Sequence, residues 1–542
     1  MRRHACAVLL LLLQAACGSS SDPEPGPDAA PAAELVIDWS PCPVLTDGTG
    51  LGAECADIAV PADWGDPDRD TVALFLKRIQ KEGASKQVWM LNGGPGASGA
   101  DFDPLAEQLV EENPELAFYL LDHRGTGRST RLGCPAQEAD DSPHGRAISA
   151  GERAACVAAV EAEVGDRLPF FTTSNAAQDL GHLIEATREG YDQVHVWGGS
   201  YGTLWGQRYL HFFPDQATAI TLTGIAPPDA SFTHYDADYD RVARDYLAAC
   251  DRDPHCADKL GGEAAARIAA LYDDLDAGHC PAAAGLTPAA LRGLFATWLL
   301  WAWYERALIP AIAYRLERCD PDDLAALAHF AALFRGGEES AADRLHSAVL
   351  GLHIGVSELS TPPYPTSGEA QAVVDGTVVS LAVGPRYAEL WPTWPAYPPD
   401  GFDDQFAATD IPVLMLEGEL DPATVLPGAR RVADALDGPD QHFVVLPGAG
   451  HSFTTPASGE PLGCQLRMWM DFVADPHAAP GDCPERMVPL DFGRQPALAE
   501  FYFGTRDLWE GGPTARRRAR DGAVEARFRE LRQHMPRNLF SP

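Results

Sequence analysis

Gln193-Val194-His195-Val196-Trp197-Gly198-Gly199-Ser200-Tyr201-Gly202 is the stretch on which the fold turns. Gln193 to Gly198 is a short apolar run with the character of a buried strand, and Tyr201 to Phe213 has helical spacing. Only Gly199 and Ser200 separate them. A chain that passes so abruptly from strand to helix has no room for side chains at the flanking positions, which explains Gly198 and Gly202. The same turn lifts the Ser200 hydroxyl clear of the sheet. Gly-x-Ser-x-Gly arises by chance in a chain with 50 glycines. A strand before it and a helix after it make the signal specific.

A serine hydroxyl is a weak nucleophile until a base takes its proton. Downstream, the strand-like run Pro412 to Leu416 leads into Glu417-Gly418-Glu419-Leu420-Asp421, which offers Asp421 as the acid and Glu419 as a poorer candidate. The run Phe443 to Leu446 leads into Gly448-Ala449-Gly450-His451-Ser452, which puts His451 on a glycine-rich loop at the end of a strand. His442, just before the run, reads as structural. Upstream, Asn92-Gly93-Gly94-Pro95-Gly96 follows a strand ending at Leu91. As an isolated Gly/Pro stretch it is a turn. Beside the serine motif it reads as an oxyanion site, with the Tyr201 amide as one donor and that of Gly94 (or Gly93) as the other. Losing such a donor costs about 3 kcal/mol of transition-state stabilisation.

Strand-like runs at 71–79, 87–91, 116–122, 193–198 and 219–223 alternate with helical runs at 103–112, 175–188 and 201–213. This alternation predicts a mostly parallel sheet covered on both faces, an α/β fold. From about Pro228 to about Trp394 the pattern is almost wholly helical, as at 240–249, 262–276, 288–299 and 321–333, before strands return at 411–416 and 442–446. The expected organisation is a core in two parts, 34–229 and 395–542, with a helical cap at 230–394 inserted over the site. The tail beyond Cys483 is helix-compatible at 514–533 and contains Arg516-Arg517-Arg518, which reads as a solvated face.

Arg2, Arg3 and the apolar run Ala5 to Ala16 have the form of a signal peptide, too short to span a bilayer. Residues 1–16 are read as that signal. The sequence Gln14-Ala15-Ala16-Cys17 then resembles a lipoprotein processing site, apart from Gln14 where leucine is commoner. Cys17 is the expected lipidation site and 17–33 a flexible tether; simple cleavage near Ala16 is the alternative, and both imply export. Setting aside Cys6 and Cys17, ten of the twelve cysteines remain, an even number that suits an oxidising compartment. Sequence leaves their connectivity open, with local pairs Cys42–Cys55, Cys134–Cys156, Cys250–Cys256, Cys280–Cys319 and Cys464–Cys483 as the expectation. No Cys-x-x-Cys spacing calls for zinc, and nothing calls for an organic cofactor. With 41 basic against 78 acidic residues the net charge is −37. That balance excludes a phosphate-neutralising nucleic-acid binder. It favours cationic substrates or simply keeps the chain soluble.

Gly93-Gly94-Pro95-Gly96-Ala97-Ser98-Gly99, Asp122-His123-Arg124-Gly125-Thr126-Gly127-Arg128-Ser129 and Gly198-Gly199-Ser200-Tyr201-Gly202-Thr203 together resemble the proline iminopeptidase and tripeptidyl aminopeptidase group of α/β-hydrolases. The resemblance runs from about Trp39 to Cys483 and is thin across the helical insertion. It implies an α/β-hydrolase fold with the triad Ser200, Asp421 and His451, in the chain order that fold requires. It also implies release of proline-ended or short, tripeptide-like units from the free N-termini of short peptides. Asn92 stands where proline iminopeptidases carry histidine, and Val425 follows Thr424 where the tripeptidyl branch often has proline. An aminopeptidase needs an anion for the substrate ammonium; Val356-Ser357-Glu358 resembles a family segment that supplies it, which makes Glu358 the candidate. An esterase or amidase on the same triad is the alternative reading. A non-catalytic binding lipoprotein is a third, disfavoured because every triad residue is present. The membrane enters only through the N-terminal lipid.

Overall fold

The structure, a computed structural model, describes residues 35–513 and 522–533, except 51, 140, 143–147, 284, 335–340, 452–454 and 461–462. The signal segment, Cys17 and the tether lie outside the described residues, as do Arg516 to Arg518. No helix among the described residues is long and apolar enough to cross a membrane.

Nine strands form one sheet: β1 (Ser40–Pro43), β2 (Gly52–Pro61), β3 (Thr71–Gln80), β4 (Lys86–Leu91), β5 (Leu116–Leu121), β6 (Gln193–Gly199), β7 (Ala219–Thr223), β8 (Val413–Gly418) and β9 (Gln441–Leu446). Their order across the sheet is β1-β2-β3-β5-β4-β6-β7-β8-β9. β1, β2, β3 and β5 pair antiparallel, and every pairing from β5 through β4 to β9 is parallel. This is the α/β-hydrolase architecture expected from the sequence. β5 and β8 are buried at every position, so they read as unbroken apolar runs. β1 and β2 escaped the sequence reading for a physical reason. β2 exposes Asp57 and Ala59 on one face and buries Ala56, Ile58 and Val60 on the other, so its apolar residues are interrupted and no continuous run marks it.

The helices Asp103–Glu112, Pro288–Trp301 and Pro321–Leu333 start with proline at their second or first position and cover apolar ground. Between β7 and β8 the described residues form helices and loops only, beginning with the helix Tyr235–Arg252. Their apolar faces meet in a second core centred on Leu294, Trp298, Ile312 and Phe330. The stretch after Cys483, of which only 514–533 is expected to be helical and which does form the helix Gly522–Gln533, joins that second core through Tyr502, Phe503, Trp509 and Val524. Arg315, buried against Asp323, stitches it there by donating to the carbonyls of Asp507, Leu508, Glu510 and Gly511. The ten cysteines among the described residues pair as expected, Cys42–Cys55, Cys134–Cys156, Cys250–Cys256, Cys280–Cys319 and Cys464–Cys483.

Candidate active site

Ser200 sits between β6 and the helix Tyr201–Phe212 with φ 56° and ψ −126°, a strained conformation for a residue with a side chain. Packing holds it there. A Cβ on Gly198 would stand 2.3 Å from the Gly202 carbonyl, and one on Gly202 would stand 2.1 Å from the Leu91 carbonyl. The Ser200 amide donates to Thr223 O at 3.0 Å, so the turn is tied to the end of β7. Thr203 fixes the next turn, donating to Ser200 O while accepting from the Ala226 amide.

Asp421 lies beyond β8 and is 1 % exposed. Its Oδ1 accepts from the Ala423 and Thr424 amides at 2.8 and 3.0 Å. Its Oδ2 accepts from the Thr424 hydroxyl at 2.9 Å and from His451 Nδ1 at 2.6 Å. Burial alone would raise this carboxyl; the His451 ring and the Thr424 donors outweigh it and hold Asp421 below its ordinary value. Thr424 Oγ1 also lies 3.2 Å from His451 Nδ1. It is thus part of the cluster, which the sequence reading missed although a hydroxyl three residues past the acid was there to be noticed. His451 and Ser200 converge on the end of β7: a Cβ on Gly224, the residue after Thr223, would stand 2.8 Å from His451 Cε1. Glu419, the poorer acid candidate, instead accepts from the Gly448 amide and shapes the histidine loop from outside.

A second carboxyl faces the first. Glu417, fully buried at the end of β8, accepts the Ile225 amide at 2.7 Å on Oε2, while Oε1 has no donor. Burial first, and the neighbouring Asp421 next, push this group well above the ordinary carboxylate range. Two buried carboxyls in contact cannot both be ionised, and the donors around Asp421 decide which one keeps the charge.

The loop after β4 passes over the serine, with a Gly93 Cβ position 2.8 Å from Ser200 Cβ. The Gly93 amide donates to Asn92 Oδ1, and Asn92 Nδ2 is bound to Ser98 O and Asp101. Gly93 is thereby occupied. The amides of Gly94 and Tyr201, both at the wall of a cavity above Ser200, have no acceptor among the described residues. The motif from Asp122 to Ser129 buttresses this loop. Asp122 accepts from Ser98 Oγ and the Gly99 and Arg128 amides, Thr126 donates to Gly96 O, and Arg124 forms a buried bidentate pair with Asp179.

A cavity of about 630 Å³ opens above Ser200, walled by Gly94, Pro95 and Pro422 below and by Tyr235, Leu352 and Tyr387 from the helical insertion. Three arginines and two aspartates line it: Asp229 pairs with Arg431 at 2.5 Å, Asp238 pairs with Arg241 at 3.4 Å, and Arg386 is left without a carboxylate among the described residues. The acidity of the whole chain is therefore not concentrated at this opening. Glu358, the candidate anion, stands beside the cavity residue Leu359 but not in its wall. Its Oε1 accepts from the Thr173 amide at 2.8 Å and the Tyr397 hydroxyl at 2.5 Å, and its buried Oε2 has no partner. Thr173 Oγ1 in turn meets the Tyr201 hydroxyl, which donates to His123 Nε2. A short polar chain therefore connects Glu358 to the residue after the nucleophile. No group of metal-ligating side chains occurs among the described residues.

Residues 88–258 match the family model described as alpha/beta hydrolase fold, and residues 386–478 match the one described as TAP-like protein. The chain is 29 % identical over 257 residues to a tripeptidyl aminopeptidase of Streptomyces coelicolor, covering 42 % of this chain and 47 % of that one. It is 28 % identical over 272 residues to serine protease Hip1 of Mycobacterium tuberculosis, covering 46 % and 51 %. A proline iminopeptidase of Aeromonas sobria is 29 % identical over 223 residues, covering 38 % and 45 %. The chain thus spans about half the length of the relatives it matches.

Proposed function

This chain belongs to the α/β-hydrolases and carries a TAP-like segment, and from that premise we propose that it is an exported serine aminopeptidase. It would release proline-ended or short, tripeptide-like units from free peptide N-termini. Ser200 attacks the scissile carbonyl as His451 takes its proton; Asp421 holds the imidazole in the tautomer with hydrogen on Nδ1. The Gly94 and Tyr201 amides receive the developing oxyanion, His451 returns the proton to the departing amine, and water hydrolyses the acyl-enzyme by the reverse sequence. The observation that carries this reading is the buried 2.6 Å Asp421–His451 pair converging with a strained Ser200 beneath a covered cavity.

The substrate side rests on Glu358. Its unpartnered Oε2 is an anionic acceptor with an open valence, where the carboxylates in the cavity wall are already paired with arginine. An ammonium group bound there orients the peptide with its N-terminus under the insertion. Export is supported by the leader-like N-terminus and the five disulfides. Anchorage through a lipid on Cys17 is part of the same proposal.

The test is hydrolysis of chromogenic Pro and Ala-Ala-Pro conjugates, their N-acetylated counterparts and a short acyl ester, with Ser200→Ala as control. Cleavage confined to free-amine peptides and abolished in the control is the expected result. Cleavage of the ester alone would give the site to the esterase reading, which the apolar wall of Phe232, Leu352 and Leu359 could serve. Within the panel, Glu358→Gln should raise KM for the peptides about tenfold and leave the ester unchanged. Equal losses on both would remove Glu358 from amine binding.

A further inference from the structure

Arg306 is an unusual residue to find at the junction of insertion and core. It lies in the short turn Glu305–Ala307, is 1 % exposed, and makes no salt bridge among the described residues. Its Nη1 donates to Gly448 O and its Nη2 to Leu299 O, each at 2.7 Å. Gly448 opens the loop that carries His451, and Leu299 belongs to the last turn of the helix Pro288–Trp301. The fit is close: a Cβ on Gly450 would stand 1.9 Å from Arg306 Nη2. The same helix end holds the histidine directly, since the His451 amide donates to Leu300 O at 3.0 Å and the Trp301 ring meets the imidazole edge-on at 5.5 Å. On the core side, the Leu420 amide, next to Asp421, donates to Ala449 O.

We propose that Arg306 is the positioning residue of His451, clamping the histidine loop to the end of the insertion helix and placing a buried positive charge behind the Asp421–His451 pair. The proposal rests on the reading of Ser200, Asp421 and His451 as a triad. Arginine suits the task because its planar fork reaches two carbonyls at fixed spacing. Burial pushes its guanidinium down to about 10, with Tyr246, Tyr239 and Asp421 opposing that, so it stays charged at working pH. The charge matters because His451 becomes imidazolium in each half-reaction. The groups that bear on the pair are Asp421 itself, Glu417 from β8 with its raised carboxyl, Tyr235 and Tyr239 from the helix Tyr235–Arg252, and Arg306. Of these, Arg306 is the one cation. It stands on the same buried ground as the charge that His451 takes up when it accepts the Ser200 proton.

Two variants separate clamp from charge. Arg306→Lys keeps the cation but cannot hold both carbonyls; Arg306→Met loses both functions. On a neutral acyl ester, which needs no amine anchor, both should lower kcat tenfold or more while KM stays within twofold. The acid limb of the kcat/KM profile should move up by about half a pH unit in Arg306→Met and stay in place in Arg306→Lys. Rates are to be counted per site labelled by a fluorophosphonate, so a misfolded fraction does not pass for slow catalysis. Normal kcat per labelled site in both variants, or a kcat loss with an unmoved acid limb in Arg306→Met, overturns the proposal. His451→Ala, run alongside, guards the premise: if it still labels and turns over normally, the triad reading fails and not Arg306 alone.

Discussion

Asp421 and Glu417 stand four positions apart, at the tip and end of one strand, and differ in everything that matters for their charge. Asp421 has four donors, one of them the imidazole; Glu417 has one amide. The consequence is measurable as stability. A carboxyl whose folded pKa lies above its unfolded value of 4.5 contributes stability that is complete below about that pH and is lost as pH rises, because only the unfolded chain then releases the proton. Glu417→Gln keeps the shape and removes the proton. Its stability relative to the parent should therefore improve by about 1.4 kcal/mol per pH unit above pH 4.5, until the folded carboxyl itself ionises. Urea midpoints at a series of pH values test this; a difference that does not change with pH would show Glu417 ionised in the fold. Sequence made Ser200, Asp421 and His451 legible because each ends a strand in a fixed order. It could not expose Glu417 or Arg306. The partners of these two are carbonyls, amides and a carboxyl brought together only by the fold, and no motif marks them.

Among the elements, the parallel strands were readable and the antiparallel edge was not. β4 to β8 are buried on both faces and β9 carries the apolar run Phe443 to Leu446, so composition marks them all, with ends shifted by a residue or two. β2 exposes Asp57 and Ala59 between its buried Ala56, Ile58 and Val60, and its partner β1 is four residues with two prolines. The helices of the insertion were legible from their spacing, but what completes them was not. Trp509 comes from a loop with no periodicity, yet its ring is fully buried and its Nε1 donates to Phe492 O. It packs edge-on to Tyr314 and His255, both from the insertion. Trp509→Ala should cost about 3–5 kcal/mol in unfolding free energy, as deletion of a buried aromatic does. A loss under 1 kcal/mol in urea unfolding would mean the tail is an ornament on a self-sufficient insertion.

At the scale of the whole molecule, a net charge of −37 suggests a surface hostile to anions. The entrance to the cavity above Ser200 departs from that average, because Arg386 lines it with no carboxylate partner among the described residues. A free-amine peptide with aspartate in the departing segment should be cleaved faster than its lysine counterpart at low salt. Arg386→Glu should reverse the order by roughly threefold each way, the scale of one exposed charge, and high salt should erase both preferences. Ratios of kcat/KM at two salt concentrations measure it; an order indifferent to the substitution would make Arg386 a spectator. Composition could not reveal this local reversal, since it sums over a surface that the fold then divides.

The seam between Arg315 and the carbonyls of Asp507 to Gly511 has a consequence in time as well as in space. The insertion emerges from the ribosome long before the residues that finish its core, and β7 must wait through the whole insertion for its neighbour β8. Closing loops of that length is slow, and until they close, faces such as that of Trp298 and Phe330 have no cover. A chain of this protein is thus committed to a long unfinished interval, which closes only when the segment Asp507 to Gly511 has docked on Arg315.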